Sequence, residues 1–283
     1  LIHTKLKVDF NFEAKQLNGE VWVTAKPHFY ATNTFVLDAK AMLIHEISLK
    51  GTALLYDYDD YKITVKLPRK YTKEEKFTIY IKYTARPEKV KEKGSNAITS
   101  AKGLYFINAD GADKNKPTQI WTQGETEGSS CWFPTLDAPN QKTTQEIYIT
   151  VPNKYVTLSN GELISQTKEK ENRTDYWKMD QKHAPYLVFL GVGAFEVVKD
   201  SYKDIAVNYY VEKEYAKYAK GIFGNTPEMM EFFSNKLGVA FPWNKYSQIV
   251  VRDYVSGAME NTTAVVHGEQ AYQTDGQLID ANT

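Results

Sequence analysis

Cysteine is almost absent from this chain of 283 residues, where Cys131 stands alone. A single thiol excludes an intrachain disulfide and any cysteine-rich zinc cluster. Trp132 and Phe133 follow it and no base lies beside it, so Cys131 reads as a buried, inert thiol rather than a nucleophile. Net charge is missing too, with 35 Lys and Arg against 35 Asp and Glu. That balance leaves no electrostatic footprint for nucleic acid, and no nucleic-acid partner is expected. Apolar runs of about 18 residues or more, as a membrane-spanning helix requires, do not occur, so no membrane span is expected. The start, Leu1-Ile2-His3-Thr4-Lys5, has neither an initiator Met nor a signal-peptide pattern and reads as processed or trimmed. Nothing in the composition fixes a compartment.

What the chain does have is aromatic and alternating. Its 20 Tyr and 13 Phe favour strands over helices. Apolar and polar residues alternate in Leu6–Phe12, Ile63–Leu67 and Phe77–Ile81, which puts one face on a core and one in water. Further strands are expected at Val21–Ala25, Phe35–Asp38, Ile147–Val151, Tyr176–Met179, Leu187–Val192 and Ile205–Val211. Asn18-Gly19, Asp59-Asp60, Pro152-Asn153 and Asn160-Gly161 punctuate them as turns. Many short strands with little helical periodicity indicate a large antiparallel sandwich or saddle. The charged run Arg86–Ser95 reads as a solvated loop, with a partner-binding basic patch as its alternative. From about residue 199 the texture becomes mixed α and β. Glu212–Lys220 has helix composition, and Thr226-Pro227-Glu228 reads as N-cap, first-turn Pro and first-turn acid of a second helix. Met229, Met230, Phe232, Phe233 and Leu237 supply its apolar face and are expected in the core, and Gly238 ends it.

Two stretches carry chemistry. Val255-Ser256-Gly257-Ala258-Met259-Glu260-Asn261-Thr262-Thr263 lies between the β-rich runs Tyr246–Val251 and Ala264–Val266. Gly257 and Ala258 leave the backbone bare, and the Glu260 carboxylate follows within three residues. Exposed strand backbone pairs with an extended peptide by strand addition, and a nearby carboxylate holds a cation at that peptide's end. A structural hairpin or bulge is the other reading of these letters. In the second stretch, Trp121-Thr122-Gln123-Gly124-Glu125-Thr126-Glu127 leads into the Pro-pinned Cys131-Trp132-Phe133-Pro134-Thr135-Leu136-Asp137-Ala138-Pro139. By itself this could be a polar loop under a Trp/Phe cluster.

Gly257-Ala258-Met259-Glu260-Asn261 resembles the GAMEN motif of the aminopeptidase N family of zinc metallopeptidases. Gln123-Gly124-Glu125 and the Phe-Pro-x-x-Asp-x-Pro run resemble a second segment of that family, as do Phe241-Pro242 and Lys245 before the first motif. The resemblance covers most of the chain. It implies a zinc-dependent aminopeptidase acting on peptides through their free N-terminus. Gln123 would line the first specificity pocket, Glu125 and Glu260 would bracket the substrate amine, and Gly257, Ala258, Met259 and Asn261 would complete the substrate-binding residues. Two departures stand out: Gly124 replaces a larger residue, and Glu127-Gly128-Ser129-Ser130 lacks a basic pair.

Such a peptidase needs His-Glu-x-x-His on a helix, two ligands on one face with the Glu as base. His45-Glu46-Ile47-Ser48-Leu49 starts correctly but has Leu49 at the second ligand position, in a run that reads as strand. His3, His28, His183 and His267 offer no pair either, so each histidine reads as surface or satisfied core. No metal ligand and no catalytic residue is assigned in this chain, and the zinc ligands are expected downstream of Thr283. The expectation is thus a mainly β protein with a C-terminal α+β portion. Residues 1–198 form an all-β saddle domain, and 199–283 begin a truncated, thermolysin-like catalytic domain that is inactive alone. A non-catalytic peptide-binding or scaffold protein on the same architecture is the alternative.

Overall fold

The structure, a computed structural model, describes residues 1–274, 276 and 277. An eight-stranded sheet dominates it. Its strands run in the order Glu162–Glu169, Asn172–His183, Thr143–Pro152, His3–Asn11, Gln16–Ala25, Phe77–Ala85, Met42–Leu49 and Thr52–Ala53. All pair antiparallel except His3–Asn11 with Thr143–Pro152, which are parallel. Alternation sets the two faces. In Gln16–Ala25, Leu17, Val21, Val23 and Ala25 are buried while Trp22 and Thr24 point the other way. Ile79, Ile81, Ile147 and Ile149 join the same core.

Packed on that core is a four-stranded sheet, Val156–Ser159, Leu190–Gly193, Gln119–Thr122 and Leu104–Ile107. The last three strands are buried along their whole length. Covered on both faces, they have no reason to alternate. This explains why alternation reveals neither Leu104–Ile107 nor Val156–Ser159. The expected strand from Leu187 starts only at Leu190, because Pro185–Leu187 form a 3-10 turn first. A three-stranded sheet, Thr32–Asp38, Lys62–Tyr71 and Tyr56–Tyr58, completes the β-rich part.

A mixed five-stranded sheet follows, in the order Phe195–Tyr202, Ile205–Glu212, Lys245–Val251, Ala264–Gly268 and Ala258–Met259. Its two inner pairings are parallel and its two outer ones antiparallel. Residues 198 and 199, between which the sequence suggests a division, both lie within the strand Phe195–Tyr202. The first parallel crossover passes through a 3-10 segment, Lys213–Tyr218, a short helix, Ala219–Phe223, and a longer one, Thr226–Leu237.

Two expectations about the longer helix need correction. Its N-cap is Asn225, and Thr226 is the first helical residue. The Thr226 hydroxyl donates back to the Phe223 carbonyl at 2.7 Å instead of capping. Of the Met/Phe stripe only Met230 is buried; Phe232, Phe233 and Leu237 are 58%, 56% and 71% exposed. Helical spacing identifies an apolar face but not what covers it. Gly238 does end the helix, with φ 66°, accompanied by a bond from Val239 N to Ser234 O. Among the described residues no helix is long and apolar enough to cross a membrane.

The five-stranded and four-stranded sheets are stitched by polar contacts. Arg252 donates from Nε and Nη2 to Glu212 Oε1 and Oε2, both at 2.7 Å, and its backbone N–H donates to Gln119 Oε1 at 2.8 Å. Trp121 Nε1 donates to the Arg252 carbonyl at 3.1 Å. Lys245 Nζ, buried over the Trp177 ring, donates to Ser159 O at 2.6 Å. Removing one partner of a buried ion pair leaves the other desolvated and uncompensated. Glu212→Ala is therefore expected to lower unfolding stability by about 3 kcal/mol, read as a drop in the urea midpoint. A midpoint unchanged from wild type would show that the pair does not stabilise the fold.

Candidate functional site

Gly257, Ala258 and Met259 form the outermost piece of the five-stranded sheet. Ala258 pairs with His267 and Met259 with Val266, while the opposite edge of this strand carries no partner strand among the described residues. The Gly257 carbonyl accepts from Gly268 N at 3.1 Å and Gln270 Nε2 at 2.8 Å. Met259 is buried and anchors the strand, while Gly257, Ala258 and Glu260 are exposed. A Cβ built on Gly257 meets only Gln270 Nε2, at 4.0 Å, so the chain's own packing does not require glycine there. Asn261 is buried beneath, with neither side-chain amide atom bonded among the described residues. Its carbonyl accepts from Ala264 N at 3.0 Å. Thr263, two residues on, has φ 65°, a left-handed backbone rare for a β-branched residue. Its hydroxyl accepts from Gly161 N at 2.8 Å and its carbonyl from Ser247 N at 3.0 Å, which hold it there.

The second stretch is a tight loop leaving the strand Gln119–Thr122. Gln123 is buried and Glu125 exposed. Gly124 is dictated locally, since a Cβ there would sit 2.2 Å from the Tyr186 carbonyl. This close approach accounts for glycine at the position where the resemblance expects a larger residue. Gly128 N closes the loop onto Gly124 O at 2.7 Å, and Ser129 Oγ ties it to Pro185 O at 2.7 Å. The Glu125–Thr126 peptide bond is cis.

Two further residues hold this loop: Lys40, which sequence reading did not single out, and Asp137, the acid of the Phe-Pro-x-x-Asp-x-Pro run. Lys40 Nζ donates to the Glu127 carbonyl at 3.2 Å and lies 3.8 Å from its carboxylate. Asp137, buried, accepts from Ser130 N at 2.8 Å through Oδ2, while its Oδ1 has no partner among the described residues. Burial pushes the Asp137 carboxyl up to about 6, against the Ser130 hydrogen bonds and the Lys40 charge that favour its ionised form. Cys131 is buried as expected, and burial raises its thiol to about 12.

Tyr254 joins the two stretches. Its hydroxyl donates to Gln123 Oε1 at 2.5 Å, and its ring meets Trp121 edge-on at 5.1 Å. Burial raises its phenol, and the charges of Tyr105, Glu125 and Glu260 add to the rise. Both carboxylates thus act on one hydroxyl, although they stand 135 residues apart in sequence (260 less 125). Among the described residues neither carboxylate has a hydrogen bond or an ion pair. Two unpaired acids beside an open strand edge can take a cationic chain terminus with its backbone extended along the strand.

The histidines do not fit a metal centre. His183 Nε2 meets Gln145 Oε1 at 3.1 Å and His267 Nε2 meets Gln248 Oε1 at 3.0 Å, and burial lowers both rings to about 4. His45 bonds Thr84 on the strand Met42–Leu49, and His3 lies between Thr144 and Glu146. Among the described residues no group of three His, Cys, Asp or Glu is placed to hold a metal ion.

Comparison with known proteins gives two family matches, the Peptidase M1 N-terminal domain over residues 2–187 and the Peptidase family M1 domain over residues 222–282. The chain is similar to Tricorn protease-interacting factor F2 of Thermoplasma acidophilum, with 25% identity over 87% of this chain and 29% of that protein. Its similarity to the puromycin-sensitive aminopeptidase of Caenorhabditis elegans is 25% identity over 87% of this chain and 26% of that protein. The crystal structure of Legionella pneumophila aminopeptidase A in complex with aspartic acid shares its fold. The TM-score is 0.78 and the identity 19%, over 94% of this chain and 30% of that one. The chain therefore spans less than a third of the length of these relatives.

The raised Asp137 carboxyl makes stability depend on pH. The native state holds its proton more tightly than the unfolded chain, so this contribution is complete below about pH 4 and is lost as pH rises through about 6. The loss by pH 8 is about 3 kcal/mol. Asp137→Asn keeps an acceptor for Ser130 N and removes the charge. Urea midpoints at pH 4, 6 and 8 should fall with pH in wild type and change less in the variant; parallel curves would refute the assignment.

Proposed function

The chain belongs to the peptidase M1 family, and on that premise we propose that it is part of a zinc-dependent aminopeptidase that removes N-terminal residues from peptides. The observation that carries this reading is the Tyr254–Gln123 hydrogen bond, which ties the segment bearing Glu125 to the segment bearing Glu260 and the open edge of Ala258–Met259, with neither acid paired among the described residues. Glu260 and Glu125 bracket the substrate's α-ammonium, and the backbone of Gly257 and Ala258 pairs with the substrate's own. Gln123 walls the pocket for the first side chain, while Met259 and Asn261, both buried, support the strand from below. Each charge-assisted contact to the ammonium contributes about 1.5–3 kcal/mol. Fixing the amine fixes the distance to the first peptide bond, which makes cleavage exo rather than endo.

Because the described histidines do not fit a metal, zinc and the general base belong, in this reading, to residues outside the chain, and the chain alone does not hydrolyse peptides. The reading also keeps a division into a β saddle, 1–198, and the start of the catalytic domain, 199–283. The two family matches, ending at 187 and starting at 222, leave that division between them.

The test is made on the full-length protein. It should contain stoichiometric zinc and cleave peptides with a free amine but not their N-acetyl forms. Glu260→Ala should lower kcat/KM by about 10- to 100-fold. Glu260 is exposed and unbonded, so the circular dichroism melt should not move. Gly257→Val, placed in open space, should likewise keep the fold while raising KM. Wild-type turnover in Glu260→Ala would remove the acid from the site. A full-length protein without zinc or turnover that still bound peptides would be the non-catalytic binding protein instead.

A further inference from the structure

From Gln123 to Asn140 the chain carries three acids, Glu125, Glu127 and Asp137, and no Lys or Arg. The cation among them comes from Lys40, on the turn between the strands Thr32–Asp38 and Met42–Leu49. Its Nζ donates to the Glu127 carbonyl at 3.2 Å and lies 3.8 Å from the Glu127 carboxylate and 3.7 Å from that of Glu92. The side chain is only 15% exposed, so this ammonium is held against the loop rather than freely solvated. Backbone bonds fix the turn that carries it. Asp38 and Thr135 exchange N–H to carbonyl bonds at 2.7 and 3.0 Å, and Lys40 N donates to Ser130 O at 2.8 Å.

Glu125 and Thr126 have no hydrogen bond among the described residues, so the place of Glu125 is set by the bonds on either side of it. Before it, Gln123 N donates to Gly103 O at 2.9 Å, and Gly124 O accepts from Gly128 N at 2.7 Å. After it, the first fixed point is the Glu127 carbonyl, which accepts from Lys40 Nζ and from Ser130 Oγ at 3.1 Å. Ser130 belongs to the same loop. Lys40 is therefore the donor that ties this carbonyl to the rest of the fold, through a charge-assisted bond. Its charge faces Glu127 and Glu92 and leaves Glu125 open to an outside cation.

We propose that Lys40 is a positioning residue for substrate binding: by holding the Glu127 carbonyl it fixes the loop so that Glu125 meets the substrate's ammonium. The proposal rests on the reading of Glu125 and Glu260 as an amine site. Lys40 acts through Glu125 and not on the substrate itself. A residue 87 positions upstream thus supplies the cation that the loop's own sequence lacks.

The experiment uses the full-length protein and a matched pair of competitive inhibitors, a peptide analogue with a free primary amine and its desamino counterpart. A wild type that binds both equally would sink the amine site itself, and the role of Lys40 with it. Given a wild-type preference for the amine, Lys40→Met keeps the aliphatic stem and the backbone bonds and removes the ammonium. KM for free-amine peptides should rise about tenfold with kcat changed less, and the preference for the amine should shrink by the same factor. Lys40→Arg, which keeps a charged donor, should recover most of that preference. Glu127→Gln keeps the carbonyl and should lose much less than Lys40→Met. If Lys40→Met lowers the urea midpoint steeply, Lys40→Gln is read in its place. An undiminished preference in the Lys40 variant would overturn the proposal. So would equal weakening of both inhibitors, which marks a residue that supports the fold and not the acid. A loss in Glu127→Gln as large as in Lys40→Met would overturn it too, because the carboxylate and not the carbonyl would then be the point held.

Discussion

The two acid-bearing segments can act together only because the edge of one sheet is fixed to the interior of another. Trp121 sits at the junction: its ring is buried between Tyr105 and Tyr254, and its indole N–H takes the Arg252 carbonyl. Arg252 is in turn clamped by Glu212 and Gln119, which come from different sheets. A two-residue strand such as Ala258–Met259 has too few ladder bonds to fix its own position. Its place is inherited from this junction, from buried Met259, and from Asn160 and Gly161, which reach the backbone and side chain of Thr262 and Thr263.

Much of the architecture is legible because half-buried strands write their burial into alternation. Leu6 to Phe12 and Phe77 to Ile81 are read directly; the structure starts the first at His3 and ends it at Asn11, and extends the second to Ala85. Strands buried on both faces, such as Leu104–Ile107, leave no such mark. The Met/Phe stripe shows the opposite failure: the pattern is sound, but burial is a property of neighbours, and Phe232, Phe233 and Leu237 face outward. Thr226 fails for a local reason, since its hydroxyl is drawn to Phe223 O and to Gln248 Nε2 rather than to the next turn.

The site divides along the same line. Gly257, Glu260, Gln123 and Glu125 are visible as motifs, and bare backbone or a carboxylate can be recognised residue by residue. Tyr254 and Lys40 are not, because their roles depend on partners brought close by folding. Tyr254 meets Gln123 across 131 positions, and Lys40 meets Glu127 across 87. No spacing rule connects residues so far apart, and only the register of the intervening strands does.

Charge placement separates the two acids from their surroundings. Nearby charges are neutralised within the chain: Arg252 by Glu212, Asp253 by Lys116 at 2.6 Å, Glu127 by Lys40. Glu125 and Glu260 are left without a counterion among the described residues, although both act on the same hydroxyl. Acids without an internal partner are open to an external cation, and an open strand edge favours a cation attached to an extended backbone. A free N-terminus satisfies both conditions at once, whereas a lysine side chain would offer the charge without the backbone next to it.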